Sequence, residues 1–135
     1  MGKRAAKPPL DAEELKAALA RLIGLDAVEQ GRFGVAVSGG PDSLALLLLA
    51  ADALPGRVHA ATVDHGLRPE SAQEAAMVAG VCAARHIPHT ILRPDHPISG
   101  SVQAQARAAR YDLLETWRKA EGIAWLLTAH HADDQ

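Results

Sequence analysis

The chain has a single cysteine, Cys82, among its 135 residues. That excludes an intramolecular disulfide and any Cys-x-x-Cys redox or zinc pair. Aromatic residues make up only 3%, so a core has to be assembled from Ala, Leu and Val. The longest apolar run, 44–51, is far too short to cross a bilayer. The start, Met-Gly-Lys-Arg-Ala-Ala-Lys-Pro-Pro, lacks the apolar stretch of a signal peptide, so the cytoplasm is the expected compartment. Neither charge sign dominates: a formal net charge of −2 provides no global attraction to nucleic acid, and any RNA contact must use a local basic patch. With 48% apolar and 22% charged residues the composition is that of a globular domain long enough for one core.

Residues 1–9 read as a flexible basic tail, and 10–135 as one domain without an internal linker. Asp11 is a candidate N-cap for a helix in which Leu15, Ala18, Leu19 and Leu22 recur at helical spacing, with Gly24 as its stop. Strands are expected at 32–37, 58–63, about 88–92 and 123–128. Between them lie a helix from Asp42 or Ser43 that is apolar nearly all round, and one opened by a Ser71/Glu74 capping box. A longer helix should run from a Ser101 cap to about Ala120, packing Val102, Ala106, Ala109, Leu113 and Trp117 into the core. Apolar strands alternating with helices predict an α/β fold, a parallel sheet with helices on both faces and right-handed crossovers.

The polar residues that can do chemistry follow the carboxyl ends of these strands, where open parallel sheets bind ligands. Ser38-Gly39-Gly40-Pro41-Asp42-Ser43 joins the first strand to its helix. Glycines there free backbone amides to face an anion, favoured by the helix dipole. The spacing is neither that of a Walker A loop nor that of a dinucleotide fingerprint. A tight turn capped by Asp42 or Ser43 is the plainer reading, but the flanking serines and aspartate favour phosphate. Asp42 would repel a phosphate unless a divalent cation lay between them, which points to Mg²⁺-bound ATP.

Asp64-His65-Gly66 ends the second strand, either as a simple Asx turn or as backbone beside a nucleotide base. His130-His131-Ala132-Asp133-Asp134-Gln135 follows the fourth. Tetrahedral zinc would need further His or Cys ligands, whereas aspartates suit Mg²⁺. His131 can neutralise phosphate charge or move a proton, and Asp133 or Asp134 can offer oxygen to Mg²⁺. Gln103, Arg107 and Arg110 share a second face of the long helix, which is either solvated or within reach of ATP or RNA phosphates.

SGGPDS alone looks like the pyrophosphate-binding loop of the ATP pyrophosphatases. SGGPDSLALL, VDHGLRPES, QARAARYDLL and TAHHADDQ, in that order, resemble the tRNA(Ile)-lysidine synthetases of that PP-loop superfamily from about Val35 to Gln135. The resemblance implies a Rossmann-like sheet of the adenine nucleotide alpha hydrolase type. It implies ATP-dependent ligation of L-lysine to C2 of the first anticodon cytidine of tRNA(Ile). The base oxygen attacks the α-phosphate, pyrophosphate leaves, and the lysine amine then displaces AMP. By position it makes Ser38, Gly39, Gly40, Pro41, Asp42, Ser43 and Asp64 ATP-binding. Asp42, Arg107, Arg110, His131 and Asp134 become catalytic, with Asp42 and Asp134 on the metal. Members of the family continue past the DDQ motif, so 10–135 is expected to be an incomplete N-terminal ATP-binding domain. The alternatives are another PP-loop adenylating ligase acting on a small molecule, or an ATP-binding fragment without turnover.

Overall fold

The computed structural model describes residues 11–64, 66, 69–94 and 102–129, with backbone alone at 102–106. Helices α1 (Ala12–Ile23) and α2 (Leu25–Gln30) lead into strand β1 (Phe33–Ala36). Then follow α3 (Pro41–Ala53), β2 (Val58–Val63), α4 (Pro69–Ala84), β3 (His89–Leu92), α5 (Val102–Ala120) and β4 (Trp125–Leu127). The strands form one parallel sheet in the order β3-β2-β1-β4. The chain steps outward from β1 to β3, then returns across the sheet to place β4 on the other side of β1. Strand order therefore reverses between β1 and β4.

Crossovers of one hand put helices on opposite faces when the direction of travel reverses. Accordingly, Phe33, Val35 and Val37 pack with Leu47, Ala50, Val78 and Cys82 of α3 and α4 on one face. Ala36 and Ala61 meet Leu114 and Trp117 of α5 on the other. The expected helices on both faces are present. Small residues line the α5 face because Trp117 lies so close: a Cβ on Gly34 would come within 2.8 Å of its ring. The few aromatics are spent where they bury most, Phe33 fully and Trp117 nearly so.

α1 begins as its sequence predicts, with Asp11 Oδ1 accepting the Glu14 amide at 2.9 Å. It ends at Gly24, whose φ of 94° suits glycine. Leu15 and Leu19 pack against α3 and help to cover that apolar helix. Three details differ from expectation. Leu22 is 80% exposed, because the buried stripe of α1 continues through Ile23 instead. The helix α2 has no strong sequence signal; it is held by Arg57, whose Nη1 donates to the carbonyls of Val28 and Gly31. On α5 the buried stripe runs through Leu114 and Trp117, with Leu113 only half-buried. The Ser101 cap and the tail lie outside the described residues.

Two histidines on the sheet take up a proton less readily than a free imidazole. Arg32 Nη2 donates to His59 Nε2 at 3.0 Å, and His89 Nε2 lies 2.9 Å from Thr62 Oγ1. Burial, reinforced by Arg32, lowers the pKa of His59; burial alone lowers that of His89. The unfolded chain then binds more protons than the folded one as pH falls. Stability should therefore drop on acidification from about pH 6.5 towards pH 5. Thermal unfolding across that range checks this: His59→Asn together with His89→Asn should flatten the slope.

Candidate nucleotide-binding site

The Ser38–Ser43 segment leaves β1 at its carboxyl end, beside the point where strand order reverses. Val37 still pairs with the sheet, donating to the Ala61 carbonyl at 2.9 Å. The chain then turns, and Gly40 acts as N-cap of α3 with Pro41 in the first turn. Proline is suited to that position because its missing amide would have no helical partner. No side chain caps the helix, so neither Asp42 nor Ser43 serves as N-cap.

The two serines hold the loop to itself. The Ser38 amide donates to Ser43 Oγ at 2.9 Å, and the Gly40 amide donates to Ser38 Oγ at 3.2 Å. The hydroxyl oxygens are 3.0 Å apart. Ser43 Oγ is also 3.1 Å from the Ser38 carbonyl and 3.4 Å from that of Gly40. A hydroxyl has one proton, so a consistent set has Ser38 donating to Ser43 and Ser43 donating to the Ser38 carbonyl. Ser43 is buried at 8% exposure, whereas Ser38, Pro41 and Asp42 are exposed. In this arrangement Ser43 braces the loop from beneath and Asp42 presents a carboxylate at its rim.

Asp64 sits one residue beyond β2, its amide donating to the Leu92 carbonyl at 2.8 Å. Its side chain is buried, with Oδ1 accepting the Gly66 amide at 3.0 Å. That is the Asx turn, and it places the carboxylate on the same sheet edge as the glycine loop. Its other oxygen is 3.5 Å from Arg93 Nε, an exposed side chain just past β3. Arg107 and Arg110 lie in the first half of α5, the former exposed, the latter half-buried with its guanidinium 5.6 Å from the Tyr111 ring centre. Neither makes a hydrogen bond or ion pair with the glycine loop among the described residues. His65, His131, Asp133 and Asp134 lie outside the described residues. Among the described ones, no three of His, Cys, Asp and Glu gather as metal ligands.

Sequence reasoning missed two residues at this edge. Arg93 is one; a lone arginine after a short strand carries no signal. The other is Glu74. α4 begins at Pro69, two residues before the expected cap, so Ser71 lies within the helix and is not its cap. Ser71 Oγ is buried without a hydrogen-bond partner among the described residues. The Glu74 side chain packs on the glycine loop instead: a Cβ on Gly39 would come within 2.9 Å of Glu74 Cγ.

A parallel sheet with a glycine loop at its switch point defines an α/β nucleotide-binding protein. The PP-loop domain profile matches residues 11–135, and the chain belongs to that family. It is 54% identical over 105 residues to the tRNA(Ile)-lysidine synthase of Novosphingobium aromaticivorans, covering 78% of this chain and 32% of the relative. To that of Methylobacterium sp. strain 4-46 it is 49% identical over 131 residues, covering 94% and 37%. The chain thus spans about a third of the length of the curated relatives it matches. Its fold is similar to the U34-tRNA thiolase NcsA of Methanococcus maripaludis, with a TM-score of 0.72 at 18% identity over 90% of this chain and 46% of that one. It is also similar to the NH3-dependent NAD synthetase of Campylobacter jejuni, with a TM-score of 0.59 at 17% identity over 86% and 56%.

Proposed function

We propose that residues 10–135 form the ATP-binding part of an enzyme that ligates L-lysine to C2 of the first anticodon cytidine of tRNA(Ile). The observation that carries the reading is the serine-braced glycine loop at the end of β1, in a chain 54% identical over 105 residues to a tRNA(Ile)-lysidine synthase. The base oxygen attacks the α-phosphate of ATP, the bond to the β-phosphate oxygen breaks, and pyrophosphate leaves. The lysine amine then attacks C2 and AMP departs with the oxygen.

In this chain the Gly39 backbone and the uncapped first turn of α3 supply amides for pyrophosphate charge. Asp64 and Gly66 form a fixed backbone turn beside them, suited to the adenine side of the nucleotide. Asp42 fits Mg²⁺: it is an exposed hard-oxygen donor next to the loop, and Mg²⁺ is commonly held by one or two carboxylates together with substrate phosphates. Bound there, the ion would neutralise charge on the departing pyrophosphate. Asp134 is the second metal carboxylate of the proposal, with His131, Arg107 and Arg110 stabilising phosphate or cytidine. A target base in a single-stranded anticodon loop can be splayed out at small cost.

Pyrophosphate release from ATP, measured with and without L-lysine and tRNA(Ile), tests this. Release that needs both supports the proposal. Release without tRNA means a small-molecule ligase, and Mg-ATP binding without release means a nucleotide-binding module. Asp42→Ala should lower turnover by about 10²-fold or more, while an exposed substitution of this kind shifts unfolding by no more than ~0.5 kcal/mol. Unchanged turnover would remove Asp42 from the site.

A further inference from the structure

We propose that Glu74 is a positioning residue for the phosphate loop, acting through the methylene stem of its side chain. The inference rests on the reading that this loop binds nucleotide. Gly39 is half-buried under α4. A Cβ built on it would lie 2.9 Å from Glu74 Cγ, 3.1 Å from Cβ and 3.3 Å from Cδ. Three consecutive atoms of one side chain therefore lie across the back of Gly39. These are the root and middle of that chain, which cannot swing aside as a tip can.

The other surface of the loop is set differently. Among the described residues, Gly40 sees only Ser38 Oγ, at 3.4 Å from a built Cβ. The loop is thus clamped at two points: the Ser38–Ser43 hydroxyl contact ties its ends, and the Glu74 stem backs its middle. A loop that must present amides to a triphosphate loses affinity if its backbone wanders, because hydrogen bonds weaken steeply away from their preferred distance and angle. The same contact explains why residue 39 is glycine. Its role is close approach to α4, since its φ lies outside the positive region. A carboxylate beside an anion site is an unexpected choice on charge alone. Its stem, long enough to lie over the loop, accounts for it.

Calorimetric titration with Mg-ATP and thermal unfolding of the same variants test the assignment. Glu74→Gln keeps the stem and should bind within about twofold of the unaltered chain. Glu74→Ala should weaken binding about tenfold with little change in unfolding midpoint. Gly39→Ala should weaken it further. Gly39→Ala with Glu74→Ala should lose less than the two single losses combined, because removing Cγ and Cδ makes room for the new methyl. Binding by Glu74→Ala equal to the unaltered chain, or a Glu74→Gln as weak as Glu74→Ala, overturns the proposal. If the unaltered chain binds no Mg-ATP, the proposed function fails first. The unfolding midpoints still decide the contact: strictly additive effects of the two substitutions would overturn it.

Discussion

Ser43→Ala should cost the protein both its nucleotide affinity and part of its stability. Four polar atoms lie within 3.4 Å of the Ser43 hydroxyl, and the residue is only 8% exposed. Alanine leaves the Ser38 amide without its acceptor in a partly buried turn. An orphaned donor of this kind costs about 1–3 kcal/mol. The functional loss should be larger than the stability loss suggests. Ser38 and Ser43 are five residues apart, and their contact closes the loop across its mouth. Without it the loop backbone would no longer hold the single conformation on which the proposed phosphate site depends. Mg-ATP affinity should fall by about 10²-fold, the loss of one or two charge-assisted hydrogen bonds to phosphate at about 1.5–3 kcal/mol each. Ser43→Thr, which keeps the hydroxyl, should retain most of both. Thermal unfolding and calorimetric titration give the two quantities separately. An alanine variant that binds Mg-ATP like the unaltered chain would show that the hydroxyl ring does not shape the site.

The architecture was legible because it rests on local pattern. Strand β2 has the bounds its apolar run predicts, and Asp11 caps α1 as its position before a helical repeat requires. The alternation of strands and helices specified a parallel sheet; of the three polar clusters expected after strands, those at Ser38–Ser43 and Asp64 follow β1 and β2, and that at 130–135 lies outside the described residues. Contacts between distant residues were not legible. Leu22 fits the helical repeat as well as Leu15 does, yet only packing against α3 decides which of them is buried. The Ser71/Glu74 pair reads as a capping box from spacing alone; the structure starts the helix at Pro69 and turns Glu74 onto a loop 35 positions earlier. The Asp64–Arg93 ion pair joins the ends of two strands that only the sheet brings together. Composition shows none of this, because each depends on tertiary approach and not on propensity. Motif similarity identified the glycine loop, but the roles within it differ from the simplest expectation. Ser43 Oγ bonds within the loop, and Gly40 takes the cap position that the simplest expectation gives to Asp42 or Ser43.

Gly34→Ala should be damaging although it lies away from the loop. Gly34 lies in β1, with strands on both sides and helices on both faces. A new Cβ would meet Trp117 Cζ3 at 2.8 Å and Cη2 at 3.1 Å, with Ile123 Cγ2 at 3.4 Å. An indole ring buried at 7% exposure has no free direction in which to swing, so α5 or β1 must move. Overpacking of this kind costs about 1–3 kcal/mol, or roughly 4–12 °C in the unfolding midpoint of a chain this size. The effect should reach the site, because β1 delivers the loop: displacing Gly34 from α5 displaces Ser38 four residues on. Mg-ATP affinity should fall along with stability. Trp117→Phe supplies the control. Phenylalanine lacks the outer ring that carries Cζ3 and Cη2, and it also removes an indole N–H that is buried without a partner among the described residues. Gly34→Ala combined with Trp117→Phe should therefore recover part of the loss, a coupling between residues in contact that independent sites would not show. Equal damage from Gly34→Ala in both backgrounds would mean that the steric conflict lies elsewhere on β1.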